Sequence, residues 1–324
     1  MARPLTMSRI PVIDALRGFA ILAMIAYHLS WDLSWFGFVG WPVSDGPGWR
    51  IFSGAIAGSF LFLAGASLVL AHGQGIRWKA FWKREAVIVA AALAVSAGTY
   101  FTFSGIFVRF GILHSIAAGS LIALPFVRLP VLFAYAAAVV VYTMPHWASS
   151  PVFDGDLFLW TGLGTPASGS VDYVPLAPWA AAVLLGVAVF KTPGMPALLE
   201  AVRPLRLASW PGRLIRFCGR RSLAIYLVHQ PVLYGLVWLV AAAGFAPDRI
   251  ALGFQESCVE RCVLAGGSEA QCKTICACTL TTLKEDGLWE PLLTNPEDPE
   301  LLQDMNNHYN ACTFPADSTQ TPIR

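Results

Sequence analysis

A chain of 324 residues that is 56% hydrophobic and only 13% charged lies far below the roughly 25% charged usage of soluble globular domains, which excludes an ordinary water-soluble fold. Its formal net charge is +2; the basic residues sit mainly in membrane-proximal loops with no recognition motif beside them, which excludes nucleic acid as a partner. The apolar surplus needs lipid, and charge is scarce between positions 10 and 247 but crowds the remainder. The chain therefore reads as all-α: a polytopic membrane helical bundle over residues 1–247, then a small cysteine-bearing extension over 248–324.

Apolar segments long enough to cross about 30 Å of hydrocarbon run near 12–34, 51–71, 86–104, 110–128, 131–149, 174–190 and 222–244, which predicts about seven spans. The first carries Asp14, Arg17 and His28 and has no small-residue cleavage site after it, so it reads as a retained span rather than a signal peptide. The fourth follows the third so closely that a re-entrant hairpin competes there. With the N-terminus in the cytoplasm, alternate loops hold Arg3 and Arg9; Arg77, Lys79, Lys83 and Arg84; Arg128; and Lys191, Arg203, Arg206, Arg213, Arg216, Arg220 and Arg221. These are fourteen of the 22 basic residues, and the positive-inside rule puts them in the cytoplasm. From Asp248 on, twelve acidic residues face five basic ones, which puts the extension outside, in the periplasm of a bacterial inner (cytoplasmic) membrane.

Ionisable groups within a span mark functional sites, because hydrocarbon penalises them. In the first span Asp14 and Arg17 share a face near the cytoplasmic end, either as an interfacial ion pair or as part of a site. His28 lies about 21 Å further along the axis, in the outer half, with Asp32 one turn beyond on the same face. A lone membrane histidine often only joins helices; a carboxylate one turn away, able to hold its tautomer, points to general base work. In the second span Gly54, Gly58, Gly65 and Ala66 read as close helix packing, which leaves a narrow slot suited to an extended acyl donor. His114, in Phe110-Gly111-Ile112-Leu113-His114-Ser115, falls at a depth similar to His28. Asp172 supplies a carboxylate in an outer loop whose Tyr173 and Trp179 aromatic belting explains. Tyr226 and His229 follow Arg220 and Arg221 in the inner half of the last span, which groups them with Asp14 and Arg17.

Cys218 stands alone at the inner surface. Cys258, Cys262, Cys272, Cys276, Cys278 and Cys312 lie in the extension, on the oxidising side. Cys258 and Cys262 are four apart, as are Cys272 and Cys276, so a helical hairpin presents each pair on one face and two cross-links staple a unit too small to hold itself by burial. Zinc competes, though these intervals differ from ribbon doublets, and the pairing is one of fifteen. Beyond Cys278 the run from Asn295 to Glu300 and the final residues read as loose, tethered through Cys312.

The blocks Ile13-Asp14-Ala15-Leu16-Arg17-Gly18-Phe19-Ala20 and Tyr27-His28-Leu29-Ser30-Trp31-Asp32-Leu33 resemble the opening of the bacterial relatives of heparan-α-glucosaminide N-acetyltransferase. The runs Gly58–Ser67, Phe110–Ser115, Asp172–Trp179 and Ser222–Pro231 are similar to that family in the same order, so the resemblance covers residues 10–235. It implies transfer of an acetyl group from cytoplasmic acetyl-CoA to an amine of an amino sugar across the membrane, with His28 catalytic and Asp14 and Arg17 where the donor's cytoplasmic end enters. The expected catalytic set is His28, Asp32, His114 and Asp172. The expected donor-binding set is Asp14, Arg17, Arg220, Arg221, Tyr226 and His229. The partners are the lipid bilayer and a sugar or glycan acceptor, with no metal. Two other classes compete: a small-molecule transporter, against which stands the lack of an inverted repeat or paired half-helices, and a structural or signalling membrane protein.

Overall fold

The computed structural model describes residues 10–165, 169–205 and 207–313; Arg3, Arg9 and Arg206 of the basic set, and the residues after 313, lie outside these. Each apolar segment contains a helix: α1 (Pro11–Trp35), α2 (Pro47–His72), α3 (Trp78–Thr102), α4 (Ile112–Ala123), α5 (Val131–Trp147), α6 (Leu176–Lys191) and, after α7 (Met195–Val202) and α8 (Trp210–Arg220), α9 (Ser222–Val240). Four stretches among the described residues are long and apolar enough to cross a bilayer: α1, α2, α3 and Ser222–Phe245. The pair α6 and α7, bent by 84°, makes a fifth if it counts as one broken span. The expected seven is therefore more than helix length shows. Helix α4 has 12 residues and α5 has 17, which at 1.5 Å per residue measure about 18 and 26 Å. Proline accounts for part of the difference: α4 gives way to a 3₁₀ turn at Pro125, because proline cannot supply the next helical N–H.

The bundle packs around Leu61, Leu68, Phe81, Ala123, Ala134, Val183, Leu184 and Val187, contributed by α2 through α6 and all buried. Two crossings bring backbones into contact. A Cβ on Gly65 of α2 would stand 1.9 Å from the Val183 carbonyl oxygen, and one on Gly186 of α6 would stand 2.1 Å from that of Phe62. Likewise a Cβ on Gly18 of α1 would meet the Ile215 carbonyl oxygen at 2.0 Å, and one on Gly219 of α8 that of Asp14 at 1.7 Å. Of the expected small-residue stripe, Gly65 makes the close approach, whereas Gly58 has nothing within 4 Å.

The chain divides into two compact units. One runs to Trp35 and resumes from Gly40 to Leu239; the other comprises Phe36–Val39 and the chain from Val240. The boundary thus falls before the expected 247, where α9 widens into a π turn over Ala241–Phe245. The second unit contains α10 (Arg249–Leu264), α11 (Glu269–Glu285), α12 (Trp289–Thr294) and α13 (Pro299–Thr313). Disulfides Cys258–Cys276 and Cys262–Cys272 join α10 to α11, and Cys278–Cys312 joins α11 to α13. All six sulfurs are paired with one another, which leaves the zinc alternative without thiolate ligands. The expected loose end is ordered through Thr313: Trp289 and Leu292 are buried, and Asp298 starts α13 by accepting the Glu300 amide at 2.9 Å.

Candidate active site

Helices α1, α2, α3, α4 and α9 enclose a cavity of about 520 Å³. Its walls are largely apolar, including Phe60, Leu63, Val87, Ile88, Ile116 and Leu223, and its charged lining is Arg17, Lys83 and Arg84. Topology gathers those three cations: α1 starts, α2 ends and α3 starts at one end of the bundle. Helix α4 starts at the opposite end, so Ile112 and Leu113 line the cavity away from Lys83. Arg17 donates to the Ser67 hydroxyl and lies 3.8 Å from Asp14. Arg84 donates to Glu85 at 2.6 Å and to Ser120 at 3.3 Å, and Glu85 is buried.

Tyr226 also lines the cavity, and its carbonyl oxygen accepts the Nδ1–H of His229 at 2.7 Å. A carbonyl only accepts, so Nδ1 carries the proton and Nε2 keeps its lone pair. The His229 ring meets the His28 ring edge-on, with centroids 4.9 Å apart; Tyr27 packs against the other partner of that pair, 5.5 Å from His28. One turn along α1, fully buried Asp32 accepts from Gln230 Nε2 through Oδ1 at 2.8 Å. Asp32 Oδ2, Gln230 Oε1 and His229 Nε2 are buried with no hydrogen-bond partner. Asp32, expected to hold His28, is thus held by Gln230, and His229, expected beside Asp14 and Arg17, sits on His28.

Asp172 Oδ2 accepts the Ile112 amide at 3.1 Å, at the start of α4. His114, on the same first turn, accepts from the Gly111 amide at 3.2 Å and lies 3.5 Å from the Ser96 hydroxyl. Its ring packs on Phe110 at 5.5 Å, so its contacts belong to α3 and α4, away from the pair on α1 and α9. Of the expected donor-binding residues, Arg17 and Tyr226 line the cavity, Asp14 supports Arg17, and Arg220 and Arg221 are exposed and off its wall. Sequence reasoning missed Lys83 and Arg84 as site residues by counting them as loop charge, and it passed over Glu85, although a carboxylate on the edge of an apolar run is itself a signal. It also passed over Gln230, a polar residue at depth.

The sequence model of the family described as Heparan-alpha-glucosaminide N-acetyltransferase, catalytic, matches residues 9–231. The chain belongs to this family. No curated protein and no solved structure matches it. The heparan-alpha-glucosaminide N-acetyltransferase match takes in every residue of the cavity, the histidine pair and Gln230, and it ends before α10 and the disulfides. Membership makes the chain an acyl-transferring enzyme, and its long apolar helices make it a membrane one.

Proposed function

We propose that the chain crosses the bacterial inner membrane seven times and moves an acetyl group from cytoplasmic acetyl-CoA to an amine or hydroxyl of a sugar or glycan on the periplasmic side. The observation that carries this is the continuity of the cavity: it begins among Arg17, Lys83 and Arg84 and reaches Tyr226, whose carbonyl fixes the histidine lying on His28. Its volume falls within the roughly 300–1,000 Å³ of small-molecule sites, and a cationic mouth above apolar walls suits a phosphorylated head group on a long uncharged arm. In this reading α4 and α5 are short spans, and the alternating loop charge sets the orientation.

The donor supplies an acetyl group already activated as a thioester. Arg17, positioned by Ser67 and Asp14, and Arg84, positioned by Glu85 and Ser120, bind the anionic end together with Lys83. The apolar walls exclude water that would otherwise compete with the acceptor. His28 takes a proton from the acceptor within hydrogen-bond reach, and Asp172 fixes the start of α4 by accepting the Ile112 amide.

The two ends should fail differently. His28→Ala is expected to leave acetyl-CoA affinity nearly intact and to lower transfer by roughly 10²–10⁴-fold, while Arg17→Ala weakens donor binding first. Calorimetry with CoA and an acetylation assay on amino sugars, in detergent or liposomes, measure both. Transfer by His28→Ala within about threefold of wild type would end the assignment of His28.

A further inference from the structure

Helix α8 is divided into three stripes, because about 3.6 residues per turn bring every third or fourth position to one face. Ile215 and Gly219 face α1: a Cβ on Gly219 would meet the Asp14 carbonyl oxygen, and one on Gly18 would meet that of Ile215. Beside them run Arg213, Arg216 and Arg220. The third stripe is Trp210, Leu214 and Phe217, large apolar side chains that are all exposed. No acidic residue stands between Glu200 and Asp248, so this segment offers its arginines no carboxylate of its own. Arg216 Nε is buried with no hydrogen-bond partner, a donor that an anionic oxygen would meet. At 11 residues and about 1.5 Å per residue, α8 is too short to cross a bilayer.

We propose that α8 is an interfacial helix that binds anionic phospholipid, with Arg213, Arg216 and Arg220 on the headgroup phosphates and Trp210, Leu214 and Phe217 among the upper acyl chains. Water alone would leave the apolar stripe exposed, and hydrocarbon alone would strand the arginines. The boundary between headgroups and acyl chains meets both, and helices with arginine on one face and Trp, Phe and Leu on the other lie there. Guanidinium matches phosphate with paired N–H donors, and tryptophan suits headgroup depth. A zwitterionic lipid offers the same phosphate beside its own ammonium, so a stripe of uncompensated arginines favours the lipid with net negative charge.

This lipid site adjoins the cationic end of the cavity without sharing its residues. No residue of α8 lines the cavity, whereas Ser222 and Leu223, which follow it, do. Gly219 packs on the backbone of Asp14, and Asp14 lies 3.8 Å from Arg17 in the cavity lining. A lipid-held α8 therefore braces the start of α1, where Arg17 is set. Arg220, expected on the acyl donor, takes a different anion. The site goes beyond the acetyl-transfer reading and does not depend on it, because lipid retention is read with neither donor nor acceptor present.

Purified full-length protein, equilibrated in detergent with equal amounts of phosphatidylglycerol and phosphatidylcholine, tests the site by native mass spectrometry of the retained lipids. Wild type should prefer phosphatidylglycerol, and Arg213→Gln with Arg220→Gln should cut that preference by roughly tenfold or more, at about fivefold for each arginine at a membrane surface. Lys79→Gln with Arg128→Gln removes the same charge from exposed positions at the same end of the bundle and should leave the preference within about threefold. A nitroxide on Leu214→Cys, in a Cys218→Ser background that removes the one free native thiol, reports depth in mixed vesicles of the two lipids. It should be relaxed more by oxygen, which partitions into lipid, than by a water-soluble nickel chelate. A wild type without lipid preference, equal losses in the two double variants, or a label relaxed mainly by the chelate overturns the site. So does a loss of CoA affinity in the Arg213→Gln, Arg220→Gln protein with its lipid preference intact, which would return these arginines to the donor.

Discussion

Within the bundle, α2 and α6 meet backbone to backbone at Gly65 and Gly186, whereas in the extension α10 and α11 are joined through Cys258–Cys276 and Cys262–Cys272. The difference extends to polar groups. Buried side-chain atoms without a hydrogen-bond partner, among them Asp32 Oδ2, Glu85 Oε2, Ser115 Oγ, His229 Nε2 and Gln230 Oε1, belong to the bundle, and none among the described residues belongs to the extension. A bundle in lipid gains its association from close packing. A small unit in water cannot rely on packing alone: the extension closes its loops covalently, and its polar side chains cap helices and pair on the surface, as Ser268 does for Gln271 and Lys273 for Glu269.

Breaking the cross-links tests one side of this contrast and should give the largest effect. Cys262→Ser with Cys272→Ser is expected to destabilise the extension by about 2–5 kcal/mol, as for other small disulfide domains, and to expose Trp289 and Leu292 to hydrogen exchange and proteolysis. CoA binding by the bundle should persist. An extension that stays protected without that bond would show that burial alone holds it. The glycine crossing tests the other side. Gly65→Ala puts a Cβ 1.9 Å from the Val183 carbonyl oxygen, while Gly58→Ala meets nothing within 4 Å. Overpacking costs about 1–3 kcal/mol or more, so thermal unfolding in detergent should fall markedly for Gly65→Ala and little for Gly58→Ala. Equal losses would mean that backbone contact is not what joins α2 to α6.

The same contrast separates what the sequence made legible from what it did not. The four cysteines at intervals of four specify a cross-linked helical hairpin, because spacing within a helix fixes which face a thiol takes, and the structure pairs them so. His28 with Asp32 on one face of α1 follows from the same local periodicity, whereas Arg17, which lines the cavity, is pointed to by the family resemblance. What stays hidden is which helix faces which. Nothing in the order of residues says that α9 rather than α4 meets His28, so His229 and Gln230 enter the cluster where His114 was expected. Span number is similarly obscured: a hydropathy window counts Pro125 within an apolar run, but helix α4 stops before it. The end of the extension reads as polar and loose, yet Cys278–Cys312 ties α13 to α11, a long-range link that local composition does not register.

Surface polarity in the extension should contribute least, and Asp248 measures it. Its Oδ1 accepts the Ala251 amide at 3.0 Å, capping α10, and its Oδ2 accepts from Lys284 on α11 at 2.8 Å. The hydrogen bond from Lys284, then that from Ala251, holds the carboxyl below its usual range. A depressed pKa in the folded state means that the unfolded chain binds the proton more readily. The contribution is therefore complete above the unfolded value of about 3.9 and is lost as pH falls through the folded one. Both side chains are about two-fifths exposed, at 42% and 41%, so solvent screening limits the pair to about 0.2–1 kcal/mol. Asp248→Asn keeps a competent N-cap while removing the charge, whereas Asp248→Ala removes both and should cost about 1 kcal/mol more. Amide exchange over the first turn of α10, followed from pH 7 to pH 3 at low and high salt, should show wild type converging on Asp248→Asn in acid and in salt, with Asp248→Ala less protected throughout. If Asp248→Asn matched Asp248→Ala at neutral pH, the charge rather than the cap would be holding that turn, and the extension would depend on surface electrostatics more than its three disulfides imply.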